Sequence, residues 1–115
     1  MSPNRFRLIA LSLPGVIEGS HQGNADFRAG KRIFATLGYP DQDWGMVKLT
    51  PEQQSVLVEA EPEIFRPVPG GWGKQGNTNV RLANADQATL KSALTLAWRN
   101  VAPKSWLKLH EDAKP

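Results

Sequence analysis

Residues 16 to 49 alternate between apolar and polar side chains with a period of two, and this pattern restricts the possible folds more than any other feature of the sequence. The run Ala25-Asp26-Phe27-Arg28-Ala29 shows the alternation most clearly. Such a pattern is typical of strands that bury one face. Glycine-containing turns divide the region, and consecutive strands joined by short turns pair antiparallel. The pattern therefore predicts a meander with strands near residues 17–22, 25–29, 31–37 and 45–49.

Helices are predicted on both sides of this meander by capping residues and apolar spacing. The first follows Ser2 as N-cap, has Pro3 at its first position and ends before Pro14. The second follows Thr50, whose spacing to Gln53 is that of a capping box. We expect the second helix to run to about residue 60 and to bury Val56, Leu57 and Ala60.

The strongest amphipathic pattern follows Asp86, a third candidate N-cap. Apolar residues recur from Leu90 to Val101 at the spacing of one helical face, and this face includes Trp98, which we expect in the core. One further helical turn is expected at residues 105–109, with Trp106 packing back on the domain. Residues 63–79 are rich in proline and glycine and are expected to form a loop before a last strand around Val80.

The order of these elements is α-β-β-β-β-α-β-α, which predicts an α+β fold. We expect an antiparallel sheet of about five strands with the helices packed on one face. At 115 residues the chain corresponds to a single domain, 1–115, in which residues 110–115 form a frayed tail.

Composition excludes several classes of site. The sequence has no cysteine, and its two histidines are 89 positions apart, so we expect neither disulfides nor a zinc site. The first residues lack the apolar core of a secretory signal, and no segment has the ~20 apolar residues of a membrane span. We expect a cytoplasmic, monomeric protein without a cofactor or a metal.

Enzyme motifs are also absent from the sequence. It contains no phosphate-binding loop of the P-loop type, no acid–base pair and no activated nucleophile. The glutamates at 52, 59, 61 and 63 match no calcium-binding loop and are expected to be solvated. We therefore expect a protein that is not an enzyme.

The net charge of +3 is unevenly distributed along the chain. Residues 1–40 carry +3, residues 41–64 carry −5, and residues 65–115 carry +5. This segregation either gives the folded protein a basic surface for phosphates or is neutralised by opposite patches in three dimensions.

Two basic segments are candidates for phosphate contacts. In the glycine-rich stretch from Gly70 onward, Trp72, Lys74 and Arg81 combine an aromatic ring with cations, as in nucleic-acid contacts. Trp72 could instead cover the sheet, which the general preference of tryptophan for burial favours. The second segment is a hairpin tip with Arg28, Lys31 and Arg32, which is equally consistent with a solvated turn.

Several of these runs together resemble the MmcQ/YjbR family of small bacterial proteins. The matching segments, which span residues 6 to 107, are Leu13-Pro14-Gly15-Val16-Ile17-Glu18, Gly30-Lys31-Arg32-Ile33-Phe34-Ala35, Val47-Lys48-Leu49 before Thr50-Pro51-Glu52-Gln53, Pro69-Gly70-Gly71-Trp72-Gly73-Lys74 and Ala97-Trp98-Arg99-Asn100-Val101-Ala102-Pro103-Lys104. The resemblance implies a double-wing DNA-binding motif with a topology related to frataxin-like (CyaY-like) proteins. Many relatives have a tryptophan in the strand that reads Asn77-Thr78-Asn79-Val80 here.

The sequence thus supports a hypothesis of a non-enzymatic protein that binds the phosphate backbone of DNA. The candidate nucleic-acid-binding residues are Arg28, Lys31, Arg32, Lys48, Trp72, Lys74 and Arg81. The alternative is a module that binds a protein or a small ligand through the 70–76 loop. A continuous basic face would favour DNA binding, whereas scattered cations and a buried Trp72 would favour the alternative.

Overall fold

The computed structural model describes residues 1–21 and 23–112. Within them the helices are α1 (Pro3–Ser12), α2 (Pro51–Ala60), α3 (Gly71–Lys74), α4 (Gln87–Val101) and α5 (Lys104–Asp112). The strands are β1 (Ile17–His21), β2 (Asn24–Ala29), β3 (Arg32–Leu37), β4 (Trp44–Lys48), β5 (Phe65–Pro67) and β6 (Asn77–Arg81). A 3-10 turn, Leu82–Asn84, follows β6.

The six strands form one antiparallel sheet in the order β1-β2-β3-β4-β6-β5. The first four strands are the predicted meander. β6 then pairs with β4, and β5 pairs with the outer edge of β6. The α+β class is confirmed, with one strand more than the sequence predicts.

The hydrophobic core lies between one face of the sheet and helices α1 and α4. Phe6 of α1 packs 6.0 Å from Phe27 of β2, measured between ring centroids. Trp98 of α4 is fully buried, as predicted, and its indole Nε1 donates to the carbonyl of Pro14 at 3.0 Å. These contacts fix α4 across β3 and β4 and leave the other face of the sheet open.

The three predicted N-caps are present. Ser2 accepts from the amide of Arg5, and Asp86 accepts from the amide of Thr89. Thr50 and Gln53 form the reciprocal pair of a capping box, with distances of 3.0 and 3.1 Å. Local capping chemistry therefore places the start of each main helix correctly.

The apolar face predicted for α2 is wrong at two of its three positions. Val56 is 64% exposed, Ala60 is exposed, and Leu57 is only partly buried. α2 is attached by two partly buried apolar residues, Leu57 and Val58, which pack against the core, and by polar side chains. Gln53 Oε1 accepts from Asn100 of α4 at 2.8 Å, and Gln54 donates to a backbone carbonyl of β6. Side-chain amides therefore supply part of the attachment that the predicted stripe would have given.

The segment predicted as a loop at 63–79 contains regular structure. Phe65 is 1% exposed and pairs with Val80, so that β5 adds an edge strand, and α3 forms a helical turn just before β6. α5 is longer than the single turn predicted and extends to Asp112, with Trp106 packed against the core. The last part of the tail prediction, residues 113–115, lies outside the described residues.

No helix in the described part of the chain is long and apolar enough to cross a membrane. Among residues 1–21 and 23–112, no three histidine, aspartate or glutamate side chains cluster as metal ligands would.

Candidate nucleic-acid interface on the open sheet face

The face of the sheet opposite α1 and α4 contains a groove of about 650 Å³. Its walls and floor are formed by Asn24, Ala25, Ile33, Thr36, Tyr39, Pro40, Met46, Lys48, Arg66, Val68, Pro69, Trp72, Asn77 and Asn79. None of these fourteen side chains carries a carboxylate, and two carry a positive charge. We call this feature the open-face groove.

Strand register explains which residues reach this groove. Directly paired residues in neighbouring strands project to the same face. Thr36 pairs with Met46, Met46 pairs with Asn79, and Asn79 pairs with Arg66. A single row of side chains therefore crosses from β3 to the edge strand β5 along the floor of the groove.

Asn79 lies on this floor and is only 4% exposed. Within the described part of the chain, its side-chain amide has no hydrogen-bond partner. A buried amide without a partner is uncommon, because it loses its hydrogen bonds to water without replacing them. Its donor and acceptor are thus available to a ligand in the groove.

Two arginines lie against Trp44 on the same face. The guanidinium carbon of Arg66 is 4.2 Å from the centroid of the Trp44 ring, and that of Arg81 is 5.6 Å away. Stacking on an indole orients a guanidinium while leaving its N–H groups free. Among the described residues neither arginine has a salt-bridge partner. Their positive charges therefore remain available to an anion.

Trp72 stands at the rim of the groove and is 66% exposed, so the alternative in which it covers the sheet is wrong. It belongs to α3, which is firmly attached. Gly73 is buried, and a Cβ at this position would overlap the Val68 carbonyl oxygen, so only glycine allows so close an approach. Gln54 of α2 donates to the Gly73 carbonyl at 3.0 Å. The indole therefore projects from an anchored helical turn rather than from the loop expected.

Tyr39 is the second exposed aromatic residue of the groove, with 64% of its surface accessible. It follows β3 at the end of the sheet where β4 begins, whereas Trp72 precedes β6 at the end where β4 finishes. The two rings thus lie toward opposite ends of the groove. The five residues of β4 between those ends span about 14 Å.

The structure brings together only part of the predicted set. Lys48 and Trp72 line the groove, and Arg81 lies beside it over Trp44. Lys74 is exposed at the last position of α3, two residues from Trp72. Lys48, Trp72 and Arg81 therefore share the open face, while a contact of Lys74 with DNA stays a prediction.

The predicted basic hairpin is arranged differently. Arg28 lies on the open face, and its Nε and Nη2 donate to Asp26 at 2.9 and 3.2 Å. This hydrogen-bonded pair, reinforced by the carboxylate charge, raises the pKa of Arg28. Arg32 pairs with the buried Ala29, whose side chain faces the helices, so Arg28 and Arg32 do not form one patch.

The turn between β2 and β3 carries Lys31, which is exposed and has a positive φ of 73°. A Cβ on the neighbouring Gly30 would lie 2.8 Å from the ring of Pro103, so the turn packs closely on the junction of α4 and α5. The tip of the hairpin therefore lies against the body of the domain rather than projecting as a free wing. A contact of Lys31 or Arg32 with DNA stays a prediction.

Three residues of the site were missed by reasoning from the sequence: Tyr39, Trp44 and Arg66. Period-two spacing places Trp44 on the same face of β4 as Met46 and Lys48, so the strand pattern could have identified Trp44. Arg66 gave no signal because its strand has only three residues, the last of them a proline, and is followed by Pro69 and Gly70.

Residues 11–100 match the family model of YjbR. The chain belongs to the YjbR family. This match covers more than half of the sequence and confirms the resemblance drawn from its motifs. A search of the curated proteins finds no match.

A solved structure shows the same YjbR-type fold. The Deinococcus radiodurans protein DR2400, whose crystal structure is described as a DUF419 domain, superimposes with a TM-score of 0.71. The two sequences are 19% identical, and the match covers 84% of this chain and 75% of that one. At this identity the similarity extends to the fold alone.

Proposed function

We propose that this YjbR protein is a non-enzymatic DNA-binding protein whose contact surface is the open-face groove. The observation that carries the proposal is the exposed Trp72 on the same groove as Lys48 and Arg66. An exposed indole beside cations matches the two chemical parts of a nucleic acid, flat bases and phosphates.

The arginines support this assignment by their arrangement. Arg66 and Arg81 both lie on Trp44, and the described residues offer them no carboxylate partner. A cation already paired with a carboxylate would have to give up that partner before it could bind phosphate. Arg28 is already paired in this way with Asp26. We therefore assign the main phosphate contacts to Lys48, Arg66 and Arg81.

The absence of carboxylates among the groove-lining side chains agrees with a polyanionic ligand. Acidic residues of the segment 41–64 include Glu52 and Glu59, which lie on α2, and α2 contacts α4 on the other face of the sheet. Two of the six acidic residues in this segment therefore lie away from the groove. The part of the affinity that comes from backbone phosphates should be independent of base sequence and strongly dependent on salt.

A fluorescence-anisotropy titration with labelled DNA at about 50 mM salt tests the proposal. Replacing Arg66 and Arg81 together by glutamine should weaken binding at least tenfold and reduce the slope of log K against log salt by roughly one to two. The matched control is Lys91→Gln with Lys104→Gln, which removes the same charge from exposed helical positions on α4 and α5.

Two results would count against DNA binding at this surface. One is a dissociation constant weaker than about 100 μM for both single- and double-stranded DNA, a level below much ordinary non-specific binding. The other is equal loss of affinity in the arginine variant and in its control. The alternative hypothesis, binding of a protein or a small ligand, would then be favoured.

A further inference from the structure

The open-face groove also indicates which form of DNA it fits, an inference that rests on the proposed function. We propose that the groove binds an unpaired strand of DNA, with bases stacked on Trp72 and Tyr39 and one base edge hydrogen-bonded by Asn79. Three features of the groove carry this inference: its aromatic rims, its buried amide and its oriented arginines.

The aromatic rims are suited to unpaired bases. Trp72 and Tyr39 are 66% and 64% exposed and lie toward opposite ends of the groove. A large exposed ring can cover the flat face of a base, but in a duplex both faces of each interior base are already covered by its neighbours. Two such rings, separated by about the length of one short strand, therefore favour a flexible single strand whose bases can turn toward the sheet.

The floor of the groove supplies the second feature. Asn79 is buried, lies between Met46 and Arg66 in the central row, and has a side-chain amide without a partner in the described residues. An amide presents one donor and one acceptor side by side, which matches the edge of a base. In double-stranded DNA the Watson–Crick edges are occupied by pairing, and the remaining edges lie inside the DNA grooves, where only a projecting side chain reaches them. Asn79 lies at the floor of a concave groove and does not project, so it can reach a base edge only on an unpaired base that turns inward.

The cations complete the site along the same strand path. Lys48 pairs with Asn77 near the Trp72 end, while Arg81 pairs with Trp44 near the Tyr39 end. Arg66 pairs with Asn79, and its guanidinium reaches Trp44 beside that of Arg81. Positive charge is thus present at both ends of the groove, near each stacking ring, where a phosphate backbone running along the strands would pass.

The experiment compares a labelled 12-nucleotide single strand with the duplex of the same sequence, each titrated with the full chain at about 50 mM salt. We expect the single strand to bind at least tenfold more tightly than the duplex. Trp72→Ala should weaken single-strand binding by about tenfold, as the loss of one stacked base does, and should change duplex binding by less than threefold. Leu8→Ala is the matched control, because it removes another exposed apolar side chain, 49% accessible, from α1.

Asn79→Leu provides a second, independent measurement with homopolymeric single strands of adenine, cytosine and thymine. Leucine is close to asparagine in shape but has no hydrogen-bonding group. We expect this variant to bind the three strands with affinities within twofold of each other, while the unmodified protein distinguishes them by fivefold or more. Its midpoint in urea should not fall, because no intramolecular hydrogen bond is lost.

Other results of these titrations would each contradict a different part of the proposal. Tighter binding of the duplex, or single-strand binding that Trp72→Ala leaves unchanged, would overturn the single-strand inference while DNA binding stands. A lower urea midpoint for Asn79→Leu with unchanged base preference would assign Asn79 to the fold and remove it from the site. Failure of both DNA forms to bind would overturn the proposed function itself.

Discussion

The side-chain amide of Asn77 donates a hydrogen bond of 3.0 Å to the backbone carbonyl of Trp72. Asn77 is 4% exposed at the start of β6, so this bond ties the helical turn that carries the exposed indole directly to the sheet. The position of the ring is therefore set by a buried residue five places further along the chain.

Replacing Asn77 by alanine should release this turn. We expect a loss of about 1–2 kcal/mol in the free energy of unfolding, because a partly buried carbonyl loses its donor, and a weaker affinity for single-stranded DNA even though Trp72 is retained. Urea denaturation and anisotropy measure the two effects. Asn84→Ala is the control, since it removes a similar bond to the Glu63 carbonyl at an exposed site that does not line the groove.

Alanine substitution should lower stability strongly at Gly73 and hardly at all at Gly71. Alanine at 73 would force its Cβ into the Val68 carbonyl, and we expect a cost of roughly 3 kcal/mol. Alanine at 71 meets no atom within 4 Å and should change stability by less than about 0.5 kcal/mol. Equal melting temperatures for the two variants would show that α3 is not held as described.

The N-cap of α4 makes stability depend on pH. Hydrogen bonds from the backbone and side chain of Thr89 hold the pKa of Asp86 below its ordinary value. A carboxylate with a lowered folded-state pKa stabilises the fold above its unfolded pKa, and this contribution is lost as the pH falls through the folded value.

Thermal melts between pH 7 and pH 2.5 should therefore show that the unmodified protein has a higher melting temperature than Asp86→Ala. This difference in melting temperature should narrow below about pH 4. Thr50→Ala removes the N-cap of α2, an uncharged one. Its destabilisation should stay constant over the same range, and a parallel narrowing would contradict the assignment of the pH effect to the Asp86 carboxylate.

Asp26 and Arg28 should be strongly coupled in stability. Asp26 is fully buried, and both of its carboxylate oxygens accept from the arginine, so Arg28→Gln leaves a buried carboxylate without its counter-charge. We expect Asp26→Asn to restore most of the stability lost in the Arg28→Gln background. A double-mutant cycle in urea measures the coupling, and additive effects would show that the pair does not act as a unit.

Local patterns in the sequence were sufficient for most of the fold. Capping residues such as Thr50 act within one helical turn, and the spacing of Leu90 to Val101 marks the buried stripe of α4 without reference to any other element. The meander was equally visible, because alternation and turn glycines are local signals. These patterns did not show which apolar residues other elements bury. Val56 fits a helical face, yet it is 64% exposed.

The site was harder to predict because it depends on pairing between distant segments. Arg66 and Arg81 come together only because β5 and β6 place them beside Trp44, and neither strand pairing is evident from local spacing. Trp72 was identified as a candidate from its glycines, yet its exposure depends on the anchoring of α3 by Gln54 and Asn77. The predicted strand at 45–49 does contain Lys48, which lies in β4 and lines the groove.

The alternation of side chains along β4 and β6 affects how the sequence of this protein can evolve. Val47 and Val80 face the core, while their neighbours Met46, Lys48 and Asn79 face the groove. Substitutions at every second position can thus alter the chemistry of the groove with little repacking of the interior. Folding and ligand preference are encoded in the same strands but at separate, interleaved positions, so selection can act on one while the other is preserved.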